Sequence, residues 1–337
     1  MPPIHAALPA KNPAQNRSTA AAQTARVRHE PAMKNPAPRS HALIERARGY
    51  GPAATAVVYP CSGPALAGAL EAATAGLIAP VLIGPRPHIE QIAAEQQLDL
   101  AGCVMHDMAS AEASARHAAA LARDGKVALL MKGSLHTDEL MGVVVARDAG
   151  LRTDSRVSHV FVMDVPAHDR LLLITDAAVN IAPGLEAKRH ITQNAIAVAH
   201  ALGIALPHVA VLSAVETVNP AIPSSLHAAA LRDMAQTGAI TGAIVDGPLA
   251  FDNAISAAAA RIKGIKSPVS GVVDILVVPG LEAGNILYKS LVYLGDAIAA
   301  GVVIGAKVPV ILTSRADSAH SRIASAAVAR LVAHARG

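Results

Sequence analysis

VVDILVVPGLEAGNILYK, residues Val272–Lys289, changes its backbone period halfway along. Its first seven residues are β-branched or apolar around a single acid and read as a strand. Pro279–Gly280 breaks the run, and a helix is expected from near Glu282 to about Ala299. Loops leaving the carboxyl ends of strands are where open α/β sheets hold ligands. This one crowds Asn285, Tyr288 and Lys289 together, in a chain with four Tyr, two Phe and no Trp. Two readings stand: a ligand lip, or Gly-Asn turn chemistry followed by a solvated lysine.

Working outward, the same switch recurs. Strands are expected at 55–59, 80–84, 103–106 and 127–131, alternating with helices at 62–75, 86–97, 110–124 and 137–148. Each helix is long enough for a parallel crossover. After Gly150–Ser155 the pattern changes: SHVFVMD (158–164) and RLLLITD (170–176) are two strands joined by a Pro-containing loop, an antiparallel pair that marks a new domain. Strands at 209–214, 242–246, 272–278, 301–305 and 308–314 follow, with a closing helix from about Ala316 to Ala335. The expected class is α/β.

The 337 residues suffice for two domains with ordinary cores. A net charge of +4 invites a nucleic-acid reading, but the charge is uneven. Residues 1–40 hold six Lys/Arg against Glu30 alone, leaving 23 basic and 24 acidic residues, net −1, in 41–337. A basic nucleic-acid face is therefore not expected. The first 40 residues, with seven of the 22 prolines and no hydrophobic periodicity, read as a disordered leader. No apolar run reaches membrane-spanning length, so no membrane partner is expected. Cys61 and Cys103 lack metal-type spacing and fit a reducing cytoplasm. Cys61 follows a strand and reads as a buried structural thiol or a catalytic one. The 15 histidines form no HExxH, so no protein-bound catalytic metal is expected.

Four further strand-to-helix junctions carry polar residues. In MKGSLHTDEL (131–140), Lys132, Ser134, His136 and Thr137 surround a helix start, which suits an anionic oxygen cluster such as phosphate. The alternative is a plain helix capped by Thr137. In TDAAVNIAP (175–183), Asp176 and Asn180 line a cleft or close an Asx turn. DGPLAFDNAIS (246–256) places Asp246 in an Asp-Gly-Pro turn before a helix. LTSRADS (312–318) gathers Ser314, Arg315 and Asp317 at the last helix start, as an oxyanion or phosphate clamp would. Neither GxGxxG after the first strand nor GxxxxGK[ST] occurs.

Taken in order, KGSLHTDEL, GLRTDSRVSH (150–159), ITDAAVNIAP, VDGPLAFDNAIS, KSPVSG (266–271), PGLEAGNILYKSL and VPVILTSRADS resemble the phosphate acetyltransferase/phosphate butyryltransferase family, from about His41 to the C-terminus. The resemblance implies two three-layer α/β/α domains like those of isocitrate and isopropylmalate dehydrogenases, with the active site in the interdomain cleft. The first domain would be 41–153 plus 308–337 and the second 154–307. It implies reversible acyl transfer between acyl-CoA and inorganic phosphate, giving acyl phosphate and CoA, without a tightly bound cofactor, in a cytoplasmic homodimer. Acetyl-CoA is the expected substrate and butyryl-CoA the alternative. A dehydrogenase of the same fold and a non-catalytic CoA-binding regulator are more distant.

Carried onto this sequence, Ser314 and Arg315 would hold the acyl phosphate and its developing charge, and Asp317 would act as base or orient Arg315. Lys132, Ser134, His136 and Thr137 would face phosphate from one side; Asp246, Asn285, Tyr288 and Lys289 would border the cleft from the other. Two features depart from the acetyl branch: no arginine lies in Asp138–Ala146, and no acid in His320–Arg322. Lys132 and Asp317 look more like the butyryl branch.

Overall fold

Runs of buried Ala, Val, Ile and Leu separated by helices can satisfy their backbone groups only by pairing side by side with helices over both faces. The structure, a computed structural model, describes residues 38–312 and 317–336. In chain order it contains α1 (Arg39–Arg48), β1 (Ala53–Val58), α2 (Gly63–Thr74), β2 (Ile78–Gly84), α3 (Arg86–Glu95), β3 (Val104–Asp107), α4 (Ala111–Arg123), β4 (Leu129–Lys132) and α5 (Thr137–Val144). There follow β5 (Ser158–Asp164), β6 (Leu172–Thr175), α6 (Leu185–Ala201), β7 (His208–Leu212), α7 (Pro223–Gln236), β8 (Ile244–Leu249), α8 (Phe251–Ile255) and α9 (Ala257–Ile262). The chain closes with β9 (Ile275–Val277), α10 (Leu281–Leu294), β10 (Ile298–Ile304), β11 (Val310–Ile311) and α11 (Ala319–Ala335).

Among the described residues the strands form one sheet in the order β3-β2-β1-β4-β11-β10-β5-β6-β9-β7-β8. The flank β3-β2-β1-β4-β11 is parallel, as is β6-β9-β7-β8. Between them β11-β10, β10-β5 and β5-β6 pair antiparallel. The expected antiparallel pair is thus present, and β5 has the expected bounds. All strands of the first flank come from 53–132 and 310–311, because the chain returns to it at its end. The sheet stays continuous across the two flanks.

Helix α11 packs beneath the centre of this sheet. Its Ala324, Ala326, Ala327, Val328 and Ala329 are buried, and the Ser325 hydroxyl accepts from Gly301 N at 2.9 Å while donating to Ser321 O. Small side chains let the helix lie close to β10.

Three expectations are corrected. The leader was set at 1–40; residues 1–37 lie outside the described residues, but Arg39 and Ser40 open α1. The reason is Asp164 at the end of β5, which pairs with the Arg39 guanidinium at 3.1 Å and accepts from Ser40 N at 2.9 Å. Helix α10 was carried to about Ala299, yet it stops at Leu294. Asp296 turns left-handed (φ 51°), and Ala297 N bonds back to Leu291 O. The alanines that follow favour helix locally, but they fill the slot between β11 and β5, and Ile298–Ile304 pairs with β5 at seven positions. Finally, Asp-Gly-Pro at 246–248 is no turn. It lies within β8, the edge strand, where a proline costs no ladder bond on the open side.

Candidate active site

Strand β4 ends at Lys132, beside β1 on one side and β11 on the other, with Lys132 opposite Val58. The next residues curl over the end of β1. Gly133 N donates to Val58 O at 2.9 Å and Ser134 N to Tyr59 O at 2.8 Å. A β-carbon at Gly133 would stand 2.3 Å from Val58 O, so glycine is a steric requirement here. The Ser134 hydroxyl donates to the Ser62 hydroxyl at 3.0 Å, and the Lys132 ammonium donates to Gly133 O and Leu135 O at 3.1 Å. His136 caps α5: its N donates to the Glu139 carboxylate at 2.7 Å. Thr137 is the first helical residue rather than the cap. Helix start, lysine and hydroxyls thus converge on one lip, with donors suited to an anion.

Strand β11 runs parallel to β4 and leaves the sheet at the same edge. Ser314 and Arg315 lie outside the described residues. Asp317 is half-buried just before α11, whose cap Ser318 accepts from Ser321 N at 3.1 Å. The Asp317 carbonyl accepts from Arg322 Nη1 at 2.8 Å, and the same guanidinium makes a forked pair with Glu71 of α2 at 2.9–3.2 Å. Arg322 therefore fixes the backbone that presents Asp317.

Helix α10 brings the opening stretch to this place. Gly284 lets it approach residue 177, since a β-carbon there would meet the Ala177 β-carbon at 2.8 Å. Asn285 Nδ2 reaches Ala177 O at 3.4 Å, a long contact. The Tyr288 ring stacks on Phe161 of β5 with centroids 3.9 Å apart and planes at 11°. Burial pushes the Tyr288 phenol above its ordinary pKa, and the charge of Asp317 pushes it further. The phenol thus stays a protonated donor at neutral pH, within electrostatic reach of Asp317. Lys289 is exposed.

Asp246 is not brought to the lip. It is half-buried in β8 at the far edge of the sheet, where Oδ1 accepts from Gly247 N at 2.8 Å, and it forms no ion pair among the described residues. Cys61 takes its structural reading: burial pushes its thiol up to about 11, leaving it protonated at neutral pH.

Sequence reasoning missed Arg152 and Arg156. The second junction supplies what holds Arg156. Asp176, buried, closes an Asx turn by accepting from Ala178 N and Val179 N at 3.0 Å, and its other oxygen takes Asn180 Nδ2 at 2.6 Å. Asn180 Oδ1 in turn accepts from Arg156 Nε at 2.5 Å. Arg152, Arg156 and Asn180 line a cavity of about 460 Å³ between α5 and the segments around 156 and 180. The only advance signal was the pair of arginines inside GLRTDSRVSH.

Comparisons agree with this architecture. The family model "Phosphate acetyl/butaryl transferase" matches residues 111–330. A phosphate acetyltransferase of Rhizobium meliloti is 58% identical over 87% of this chain and 93% of its own length. A probable phosphate butyryltransferase of Bacillus subtilis (strain 168) is 54% identical over 60% of this chain and 67% of its own. The crystal structure of a branched-chain phosphotransacylase from Enterococcus faecalis V583 superposes with a TM-score of 0.73 at 32% identity, covering 83% of this chain and 99% of that one. The chain belongs to the phosphate acetyl/butyryl transferase family.

Proposed function

We propose that the protein is a phosphate acetyltransferase, converting acetyl-CoA and inorganic phosphate to acetyl phosphate and CoA, reversibly and by direct transfer. The observation that carries this reading is the meeting of two strand ends. The Lys132–Thr137 lip, rich in anion donors, stands beside the exit of β11 that leads to Asp317. The 58% identity over 87% of the chain to a phosphate acetyltransferase supports acetyl as the acyl group. The butyryl reading rests on the shorter match to the Bacillus protein and on Lys132 and Asp317.

In this reading phosphate sits on the lip, held by the Lys132 ammonium and the Ser134 and Thr137 hydroxyls, with His136 at its rim. One phosphate oxygen attacks the thioester carbonyl. Ser314 and Arg315 stabilise the oxyanion that develops, as preorganised donors do for any acyl transfer. CoA leaves as a thiolate and takes up a proton. In the reverse direction its thiol, with an ordinary pKa of about 8.5, must lose that proton, and Asp317 is the base or the group that orients Arg315. Tyr288 donates from the opposite wall, where Asn285 and Lys289 border the substrate, while Asp246 is assigned no step.

Two α/β domains, 41–153 with 308–337 and 154–307, would form the cleft walls. No tightly bound cofactor is required by this chemistry. A cytoplasmic homodimer completes the reading, supported by the outward face of α10, where Ile286, Tyr293 and Leu294 are 66%, 70% and 87% exposed.

Purified protein should release CoA thiol from acetyl-CoA only when phosphate is present. If neither acetyl- nor butyryl-CoA supports that release, the reading fails. Near-wild-type turnover by Asp317→Asn would remove Asp317 from the role of essential base.

A further inference from the structure

One face of the sheet carries a column of three rings, in a chain with only four Tyr, two Phe and no Trp. His159 and Phe161 stand two residues apart on β5 and so point to the same face. Their ring centroids are 4.2 Å apart and their planes meet at 63°. Tyr288 of α10 lies on Phe161, 3.9 Å away and nearly parallel. His159 is 1% exposed, whereas Phe161 and Tyr288 are half-buried. The apolar cores part at this column: Val303 and Leu312 pack with Leu140 of α5, while Phe161 and Tyr288 pack with Met163 and Ile174.

Strand register ties the column to the lip. Leu130, Val310, Val303 and His159 lie side by side across β4, β11, β10 and β5. One pleat further, at the end of β4, the row reads Lys132, Leu312, Gly301 and Phe161, with Gly301 opposite Phe161. At about 4.8 Å per strand, Lys132 and Phe161 stand about 14 Å apart. Gly301 shapes the ground between them. A β-carbon there would meet His159 Nε2 at 2.8 Å and Leu312 O at 3.1 Å, so the glycine lets the imidazole lie across β10. With the imidazole against one side of Phe161 and Tyr288 over its face, the phenyl ring has little room to swing aside. At the other end of the column the Tyr288 phenol is within electrostatic reach of Asp317.

We propose that the half-buried rims of Phe161 and Tyr288 seat the acyl group of the thioester, and that Phe161 sets its length, admitting acetyl and excluding butyryl; this rests on the acyltransferase reading above. The lip suits anions but offers no apolar wall, since Lys132, Ser134, His136 and Thr137 are all polar. An acyl methyl needs apolar surface beside the reacting carbonyl. The rings at the seam between the two cores supply it, on the same sheet face as Lys132 and within reach of Asp317. Butyryl exceeds acetyl by two methylenes, and a braced ring cannot make way for them without breaking the column.

The quantity to measure on the full chain is the ratio of kcat/KM for acetyl-CoA to that for butyryl-CoA, with propionyl-CoA between them. A misfolded fraction lowers both values and cancels in the ratio. Wild type should favour acetyl-CoA. Phe161→Ala removes the ring and should move the ratio at least about tenfold towards butyryl-CoA, because even one methylene admitted to an apolar site is worth about that much. Phe161→Leu keeps most of the bulk, and its ratio should stay within about threefold of wild type. Met163→Ala opens a cavity at a buried residue on the same face of β5, and should cost stability without moving the ratio. An unmoved ratio in Phe161→Ala, an equal shift in Met163→Ala, or a wild type that already favours butyryl-CoA overturns the proposal and leaves the acyltransferase reading standing. Turnover of none of the three thioesters in the presence of phosphate overturns both.

Discussion

The lip after β4 and the pocket before β5 both carry cationic side chains but have opposite construction. The turn of the lip is closed chiefly by main-chain groups: Gly133 and Ser134 donate to the end of β1, and the Lys132 ammonium reaches two backbone carbonyls, beside the Ser134–Ser62 hydroxyl pair. The pocket is held by side chains, through Asp176, Asn180 and Arg156 in sequence, with Asn194 behind them. A backbone-built site tolerates most side-chain changes except one that adds bulk against the backbone. A side-chain-built site fails link by link. The two regions should therefore break in different ways.

The largest expected effect is at Gly133→Ala. A methyl group 2.3 Å from Val58 O cannot be relieved by a rotamer, so β4 and β1 must separate. A loss of about 3 kcal/mol in stability is expected, at the upper end for overpacking. Phosphate-dependent thiol release should fall with it. Chemical denaturation and the thiol assay on one preparation check both; wild-type values for either would mean the lip is not built on that contact.

In the pocket the matching test is Asn180→Leu. It strips Asp176 and the Val157 carbonyl of a donor and frees Arg156, at a cost of about 2 kcal/mol for buried groups left unpaired. Asn180 acts through Arg156, so KM for acetyl-CoA should rise several-fold with kcat nearly unchanged, in contrast to the loss of turnover at the lip. A fall in kcat at constant KM would erase the distinction between the regions.

Among the described residues, the segment 158–304 also buries ionisable groups that the first flank does not. His159 is kept neutral by burial, against the opposing charge of Asp176. Lys188 of α6 is 3% exposed, and burial pulls its pKa from 10.5 to about 8. Below pH 8 the folded and unfolded chains both carry the proton, and the folded state bears the full cost of a buried charge. Between pH 8 and 10.5 the unfolded chain binds more protons than the folded one, so stability rises with pH across that window. Lys188→Met should remove this slope and gain roughly 2 kcal/mol at pH 7, allowing for relaxation around the site. Urea melts at pH 7 and pH 10 measure it; parallel pH dependence in both proteins would refute it.

Legibility in the sequence followed the same divide. The turn from β4 into α5 could be read because Lys-Gly-Ser before a helix start is local chemistry, and β5 because its apolar run is bounded by polar residues on both sides. The pocket could not, since Arg152, Arg156, Asp176 and Asn180 meet only after the strands pair. Ala297–Ala300 misled for a related reason: alanine favours helix, but the open slot in the sheet decided the matter. Asp246 misled because Asp-Gly-Pro, usual in turns, lies here within an edge strand. Asp317 was named from its motif, while its support, Arg322 bound to Glu71 251 residues away, was beyond any local pattern.

Tyr288 joins the two constructions, and it should show the smallest effect. Its ring stacks on Phe161 of β5, between the two flanks, while its phenol senses Asp317 just before α11. Tyr288→Phe keeps the stacked ring, so stability should change by less than about 1 kcal/mol. What is lost is one hydroxyl donor within electrostatic reach of Asp317, expected to lower kcat/KM about three- to tenfold, as for a single neutral hydrogen bond. Because the wild-type phenol is held above its ordinary value of 10.0, both proteins should show the same pH–rate profile from pH 6 to about 9, differing only in height. A profile that bends below pH 9 in wild type and straightens in the variant would mean that the phenol titrates during turnover, and that Tyr288 serves the proton transfer assigned to Asp317.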